Sequence, residues 1–469
     1  MSTAADLKQS DNLFIHPWDD FVKLGGHRRT LLNKGEGVYV YDSEGHRLLD
    51  APAGMWCVNI GHGREEMARA VYDQIMALTY VSPWSMTTGP AAEFAALLAA
   101  QSPGDLNHVF FTTGGSTAVD SALRFVQFYN NLRGQPNKKQ IIAQQRGYHG
   151  STYLGGSVSG KERDKNNLEI ESHLVHHIDA PHPLLKPEAM SEAAFLDRCI
   201  AKLETKISEI GADNCAVFVA EPILASGGVI VPPAGYHRRC LEVCRKHDML
   251  YLSDEVVTAF GRLGHCFASE DVFGILPDII TTAKGLTSGY IPMGAFLVSD
   301  RLVEEIKVNG GDSAVFSNGF TYSGHPVAAA AGIKNLEIMQ REKLFERARE
   351  TGPYLQQQMQ SLRDIPIVRD VRGEGLMACV ECALEPGDDD LVQDYEIGKL
   401  IDKHCQRLGL IVRPLVNMCV MSPPLTITPA QIDDMVSMLR QGILLALQEI
   451  ESAETEAIDA RRKHPSPVA

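Results

Sequence analysis

The stretch Pro277-Asp278-Ile279-Ile280-Thr281-Thr282-Ala283-Lys284-Gly285-Leu286 decides the fold. A short β-branched run ends in a lysine, and a glycine follows at once. This reads as a buried strand that delivers one amine to the open edge of a sheet, with a tight turn behind it. Two more apolar runs lie upstream. Met249-Leu250-Tyr251-Leu252-Ser253 ends in Asp254-Glu255, and Cys215-Ala216-Val217-Phe218-Val219-Ala220 ends in Glu221-Pro222. Each run places a charged residue at the carboxyl end of a strand. In open α/β sheets, that is where ligands bind.

Lys284 has two readings. The ordinary one is a surface lysine at a strand end. The chemical one is a Schiff-base lysine, because a partly buried amine loses its proton readily and can attack a carbonyl. Its company separates them: an aspartate for a pyridinium nitrogen, a Gly/Ser turn for a phosphate and an aromatic for a ring face.

Working outward, a short strand at Val109-Phe110-Phe111 enters Thr112-Thr113-Gly114-Gly115-Ser116-Thr117. A helix then opens with Val119, Ala122, Leu123 and Val126 on one face. Free backbone N–H groups and the positive helix end make such a turn an anion site, although many strand-to-helix turns carry glycine for geometry alone. Ile141-Ile142-Ala143 is the next strand and leads to Gly147-Tyr148-His149-Gly150. Strand and helix signals alternate to about residue 300, as a parallel sheet requires.

Before this region, Gly37 to Asp50 reads as a hairpin about the turn Asp42-Ser43-Glu44-Gly45, and helices are expected from Glu65 to Leu78 and from about Ala91 to Ala100. After it, one long helix is expected from about Val327 to Arg349. Ile365 to Val380 reads as a hairpin, and Leu410-Ile411-Val412-Arg413 and Met418-Cys419-Val420-Met421 as two short strands. Thr428-Pro429 caps a final helix, and Ala460 to Ala469 reads as a disordered tail. The expected organisation is an N-terminal segment (1–65) packing with the small domain and active site, a large domain (66–330) and a smaller α+β domain (331–469).

The chain has 469 residues, 44% hydrophobic and 22% charged, which is an ordinary globular composition. No apolar stretch has membrane-spanning length, and the start lacks a signal-peptide layout, so a cytoplasmic enzyme is expected. A net charge of -15 argues against nucleic acid as a partner. The ten cysteines have no framework spacing. Cys379-Val380-Glu381-Cys382 is half a metal site without a second half, so no metal is expected and the thiols read as core.

Together these motifs resemble the class III aminotransferases of the fold-type I pyridoxal-phosphate (PLP) enzymes. The resemblance runs from about His16 to the last helix. It is carried by Asp254-Glu255-Val256, Phe260-Gly261-Arg262, Ala283-Lys284-Gly285 and Gly289-Tyr290-Ile291-Pro292-Met293-Gly294, in the family's order. It implies an α/β fold: a large domain with a mostly parallel mixed sheet flanked by helices, and a smaller α+β domain. It implies that Lys284 holds PLP as an internal aldimine and later moves the proton. Asp254 would pair with the pyridinium nitrogen, where a carboxylate contact is worth roughly 4 kcal/mol at an effective dielectric of 20. Tyr148 and Val256 would flank the ring, and Gly115 and Ser116 would hold the phosphate. His149 and Glu221 would lie near the cofactor. Thr321 would reach the phosphate across a dimer interface, so a homodimer is implied, with a tetramer left open.

The phosphate turn departs from the family's usual Ser-Gly-Ser/Thr-Glu-Ala. Here Gly114-Gly115-Ser116-Thr117-Ala118 keeps the backbone donors but loses one hydroxyl and one carboxylate. Leu224-Ala225-Ser226 and Val257 also stand where the family often has Gln-Gly and Gln.

Within the class, Met55-Trp56-Cys57-Val58-Asn59-Ile60-Gly61 and Leu410-Ile411-Val412-Arg413-Pro414 are similar to amine (ω-amino acid):pyruvate transaminases. Arg413 would be their mobile arginine, whose fork suits a carboxylate. Trp18, Met55, Trp56, Trp84 and Ser226 would line the substrate pocket, and such aromatic walls suit an apolar amine. The resemblance therefore implies an (S)-selective transfer from a primary amine to pyruvate, by a ping-pong route through pyridoxamine phosphate. A β-alanine, taurine or polyamine:pyruvate transaminase would share every catalytic residue. Enzymes using 2-oxoglutarate need a further cationic site for the distal carboxylate, and none can be placed from the sequence.

Overall fold

The computed structural model describes residues 4–26, 29–384 and 395–463. Strands β1 (Leu32–Glu36), β2 (Tyr39–Asp42) and β3 (Arg47–Asp50) form an antiparallel N-terminal sheet. A fourth strand, Leu410–Ile411, joins it from far down the chain and runs parallel to β3.

Seven strands then build the large sheet: β4 (His108–Thr112), β5 (Gln140–Gln144), β6 (Val175–Ile178), β7 (Cys215–Ala220), β8 (Leu250–Asp254), β9 (Ile279–Thr282) and β10 (Gly294–Val298). Their spatial order is β4-β10-β9-β8-β7-β5-β6. From β6 through β9 every pairing is parallel, and β10 runs antiparallel to both its neighbours. β7, β8 and β9 are buried along their whole length, as expected for a sheet covered on both faces. Alternation assigns the faces. Leu250 and Leu252 join the core under the helix Gly115–Leu132, while Tyr251 joins the core under the helices Glu192–Ile210 and Tyr236–Lys246.

Strands β11 (Val368–Glu374), β12 (Met377–Cys382), β13 (Leu410–Ile411), β14 (Arg413–Leu415) and β15 (Met418–Met421) complete the set. All but β13 form the small sheet, in the order β11-β12-β15-β14. The final helix, Pro429–Lys463, packs against the helix Tyr395–Leu408.

Three expectations change. The segment 410–413 is two strands rather than one: Leu410–Ile411 pairs with β3, and Arg413–Leu415 pairs with β15. The long helix expected over 327–349 is also two helices, Pro326–Arg341 and Leu344–Gln360. They part at Lys343, which adopts a left-handed φ of 52°. Glu342 beside it takes a two-pronged bond from Arg64, at 2.8 and 2.7 Å. The apolar period hid this break because Met339, Leu344 and Ala348 stay in one core. Finally, the last helix continues to Lys463, and the rest of the expected tail lies outside the described residues.

None of the ten cysteines is in a disulfide, and nine are buried. Among the described residues, no helix is long and apolar enough to cross a membrane.

Candidate active site

The carboxyl ends of β7, β8 and β9 open into a cavity of about 840 Å³. Glu221, Asp254 and Lys284 stand there because each ends a buried strand. Lys284 itself has a left-handed φ of 45°, an uncommon conformation for a side-chain residue and one found at functional sites. The next position must be glycine: a Cβ on Gly285 would stand 2.6 Å from Asn59 Nδ2 and 2.8 Å from Phe260 Cβ. Burial lowers the Lys284 pKa, and the charge of Arg413 adds to this while Asp254 and Glu221 oppose it.

Asp254 Oδ1 accepts from Val256 N (3.2 Å), and Oδ2 lies 2.7 Å from His149 Nδ1. Burial would lower the His149 pKa, but the hydrogen bond and charge of Asp254 outweigh it, and the net shift is upward. Glu221 accepts from two backbone amides, Tyr148 N at 2.8 Å and Ala225 N at 3.0 Å. Burial raises its pKa. It thereby fixes the loop that carries Tyr148 and the loop that carries Ser226.

The helix Gly115–Leu132 starts at the cavity, and Gly114 before it supplies no side-chain cap. Its first N–H groups are thus left for an anion. Ser116 Oγ accepts from Ser151 N at 3.1 Å. That approach requires Gly150, where a Cβ would fall 2.6 Å from Ser116 Cα.

Aromatic groups form the mouth. The rings of Trp18 and Tyr148 lie 6.1 Å apart, and the Arg413 guanidinium lies 5.9 Å from the Trp56 ring centre. The Arg413 guanidinium makes no hydrogen bond or ion pair among the described residues, and burial lowers its pKa.

The cavity brings together Lys284, Asp254, Gly115, Ser116, Tyr148, His149, Glu221, Val256, Trp18, Met55, Trp56, Ser226 and Arg413. Two expected site residues do not line it. Trp84 is 94% exposed and does not line the cavity of its own chain. Thr321 is also at the surface, where its carbonyl accepts from Tyr80 Oη at 2.6 Å.

Sequence reading missed the loop that closes one side of the cavity, with Lys161, Arg163, Asp164 and Asn166. Its sequence, Lys161-Glu162-Arg163-Asp164-Lys165-Asn166, reads as a solvated charge run, and no local pattern distinguishes it from one. The loop brings the cationic side chains of Lys161 and Arg163 into the cavity wall.

An amine, a carboxylate facing a histidine, an aromatic and an uncapped helix start in one cavity are the donor set that PLP requires, and the residues fit it. The fold and this site define a fold-type I transaminase. The class-III aminotransferase family model matches residues 24–443, and the chain belongs to that PLP-dependent family. A putrescine–pyruvate aminotransferase from Pseudomonas aeruginosa is 42% identical over 91% of this chain and 93% of its own length. A diaminobutyrate–2-oxoglutarate transaminase from Halomonas elongata is 36% identical over 88% and 90%. A thermostable (S)-enantioselective ω-transaminase from Thermomicrobium roseum superposes with a TM-score of 0.90 at 37% identity, over 96% of this chain and 99% of that one.

Proposed function

We propose that this enzyme moves the amino group of a primary amine to pyruvate in two half-reactions. The observation that carries the reading is Arg413: a half-buried guanidinium without a hydrogen bond or ion pair among the described residues, beside Trp56, in the same cavity as Lys284. A carboxylate would complete it, and an apolar amine would lie against Trp18 and Trp56 once that carboxylate has left.

PLP, when bound, supplies the electron sink that makes the substrate carbon acidic. The chain does the rest. Lys284 Nζ, deprotonated more readily because it is buried, takes the proton from the substrate carbon and returns it during amino transfer. Asp254, held by His149, would pair with the ring nitrogen and keep it protonated. Gly115 and Ser116 would hold the phosphate at the helix start, and Tyr148 and Val256 would lie against the ring. Glu221 fixes the Tyr148 loop from below. Met55 and Ser226 border the substrate. The N-terminal segment (1–65) works with the small domain (331–469) against the large domain (66–330), a division that the β3–β13 pairing supports.

Trp84 and Thr321 serve the cavity of a second copy, in a homodimer. Their exposure in the single chain supports this reading. The buried cysteines, none of them in a disulfide, support a cytoplasmic setting. The similarity to the (S)-enantioselective enzyme supports (S) preference. A ω-amine donor is the second reading, favoured by the putrescine–pyruvate relative.

The test is a half-reaction. Cofactor-loaded enzyme is mixed with one amine and no acceptor, and its visible absorbance is followed. An arylalkylamine, putrescine, β-alanine and taurine are compared, and pyruvate is then added. Bleaching by the arylalkylamine and recovery with pyruvate are expected. Bleaching by putrescine or β-alanine alone would move the donor to the second reading. No recovery with pyruvate would overturn the acceptor.

A further inference from the structure

The loop following Ser159 places Lys161 in the cavity wall, with its ammonium 5.5 Å from the Tyr148 ring centre. The Lys161 ammonium makes no hydrogen bond or ion pair among the described residues; only the backbone carbonyl is engaged, accepting from Asp164 N at 3.1 Å. Both acids on its loop are engaged elsewhere: Glu162 with Lys165 at 3.3 Å, and Asp164 with Arg163 at 3.3 Å. Glu221 is held by two backbone amides. Lys161 is thus a cation in a confined space without an anion of its own. Its field and that of Arg413 act on one another, and the field of Arg413 also reaches Lys284. Two cations whose side chains have no hydrogen bond or ion pair among the described residues therefore line the same cavity as Lys284.

We propose that Lys161 binds a second carboxylate, so that the cavity accepts a keto diacid with its α-carboxylate on Arg413 and its distal carboxylate on Lys161. This deepens the transaminase reading above and rests on it. An isolated cation in a low-dielectric wall repels a second cation and favours an anion, so specificity follows from charge. The same residue would receive the far carboxylate of a ω-amino acid donor of matching length.

The groups facing Lys161 make it titratable in the working range. Burial lowers its pKa to about 8; Arg163 and Arg413 act in the same direction, and Asp164 and Glu221 oppose. Tyr148 offers only its ring face. Raising the pH through about 8 discharges Lys161, and use of the diacid should fade while use of pyruvate persists.

The test measures kcat/KM of the full-length holoenzyme for 2-oxoglutarate and for pyruvate, with one good amine, in wild type, Lys161→Met and Lys161→Arg. Binding of glutarate, a non-reacting diacid, is measured beside it by calorimetry. Wild type is expected to turn over 2-oxoglutarate. Lys161→Met should lower the 2-oxoglutarate/pyruvate ratio at least about tenfold, mainly through KM, and weaken glutarate binding similarly. Lys161→Arg should restore most of the ratio. An unchanged ratio and unchanged glutarate affinity in Lys161→Met would overturn the proposal. So would a wild type that uses pyruvate but not 2-oxoglutarate. A wild type that uses 2-oxoglutarate but not pyruvate would overturn the acceptor reading above and leave Lys161 supported.

Discussion

Asp254 Oδ2 sits 2.7 Å from His149 Nδ1, and both side chains are closed off from solvent. The pair is charge-assisted, because the raised pKa of His149 favours its protonated form. The histidine fixes which way the carboxylate faces. His149→Phe keeps a ring but removes the donor. It should weaken PLP binding about 10- to 100-fold, matching the roughly 1.5–3 kcal/mol of a hydrogen bond to a charged group. Titration of the apo-protein with PLP reads this directly, and unchanged affinity would remove His149 from the positioning role.

Lys284→Ala should abolish transamination while PLP is still captured reversibly. The bound cofactor should then leave on dialysis, whereas in wild type it should stay. Full turnover in the variant would end the assignment of the amine.

Arg413→Ala should raise the KM for pyruvate about 10- to 100-fold and leave the KM for an apolar amine within a few fold, since only the keto acid brings a carboxylate. Steady-state kinetics against each substrate separates the two. Equal losses would make Arg413 a structural cation.

His237 gives a prediction about acid. Its Nε2–H donates to Pro222 O (2.8 Å) and its Nδ1 accepts from Tyr251 Oη (2.8 Å), an arrangement that needs the neutral ring. Burial lowers its pKa to about 4, below the value of 6.5 for an unperturbed histidine. The unfolded chain therefore binds the proton first. Stability tied to this group is complete above pH 6.5 and is lost as the pH falls toward 4, by up to about 3 kcal/mol. Denaturation midpoints from pH 7.5 to 4.5 should fall less steeply in His237→Gln. Because Pro222 follows Glu221, activity should fail over the same range.

Thr321→Ala should weaken PLP binding, and dilution of wild type should weaken it further if subunits separate. An affinity independent of protein concentration, measured down to the monomer, would argue that each chain completes its own site.

Much of the large sheet was legible because its signals are local. β7 and β8 come from apolar runs that lead to Glu221 and Asp254, β9 is a short β-branched run that leads to Lys284, and the parallel order follows from the alternation of strands with helices. The break at Lys343 was not legible, since Leu344 and Ala348 continue the same apolar face across it. Trp84 is assigned to the pocket by the family resemblance, and no residue spacing could show that its loop leaves it exposed on the single chain.

The sequence by itself determined the class of chemistry, because an amine, a carboxylate and a glycine turn at strand ends need only secondary structure to be placed. Only the tertiary structure decided what surrounds them. Val412 is buried between β13, which joins the N-terminal sheet, and β14, which joins the small sheet, and this junction carries Arg413 into the cavity. Lys161 enters from a loop whose charge run carries no periodic signal. A side chain's partner across the fold is set by long-range packing, which residue spacing along the chain does not record.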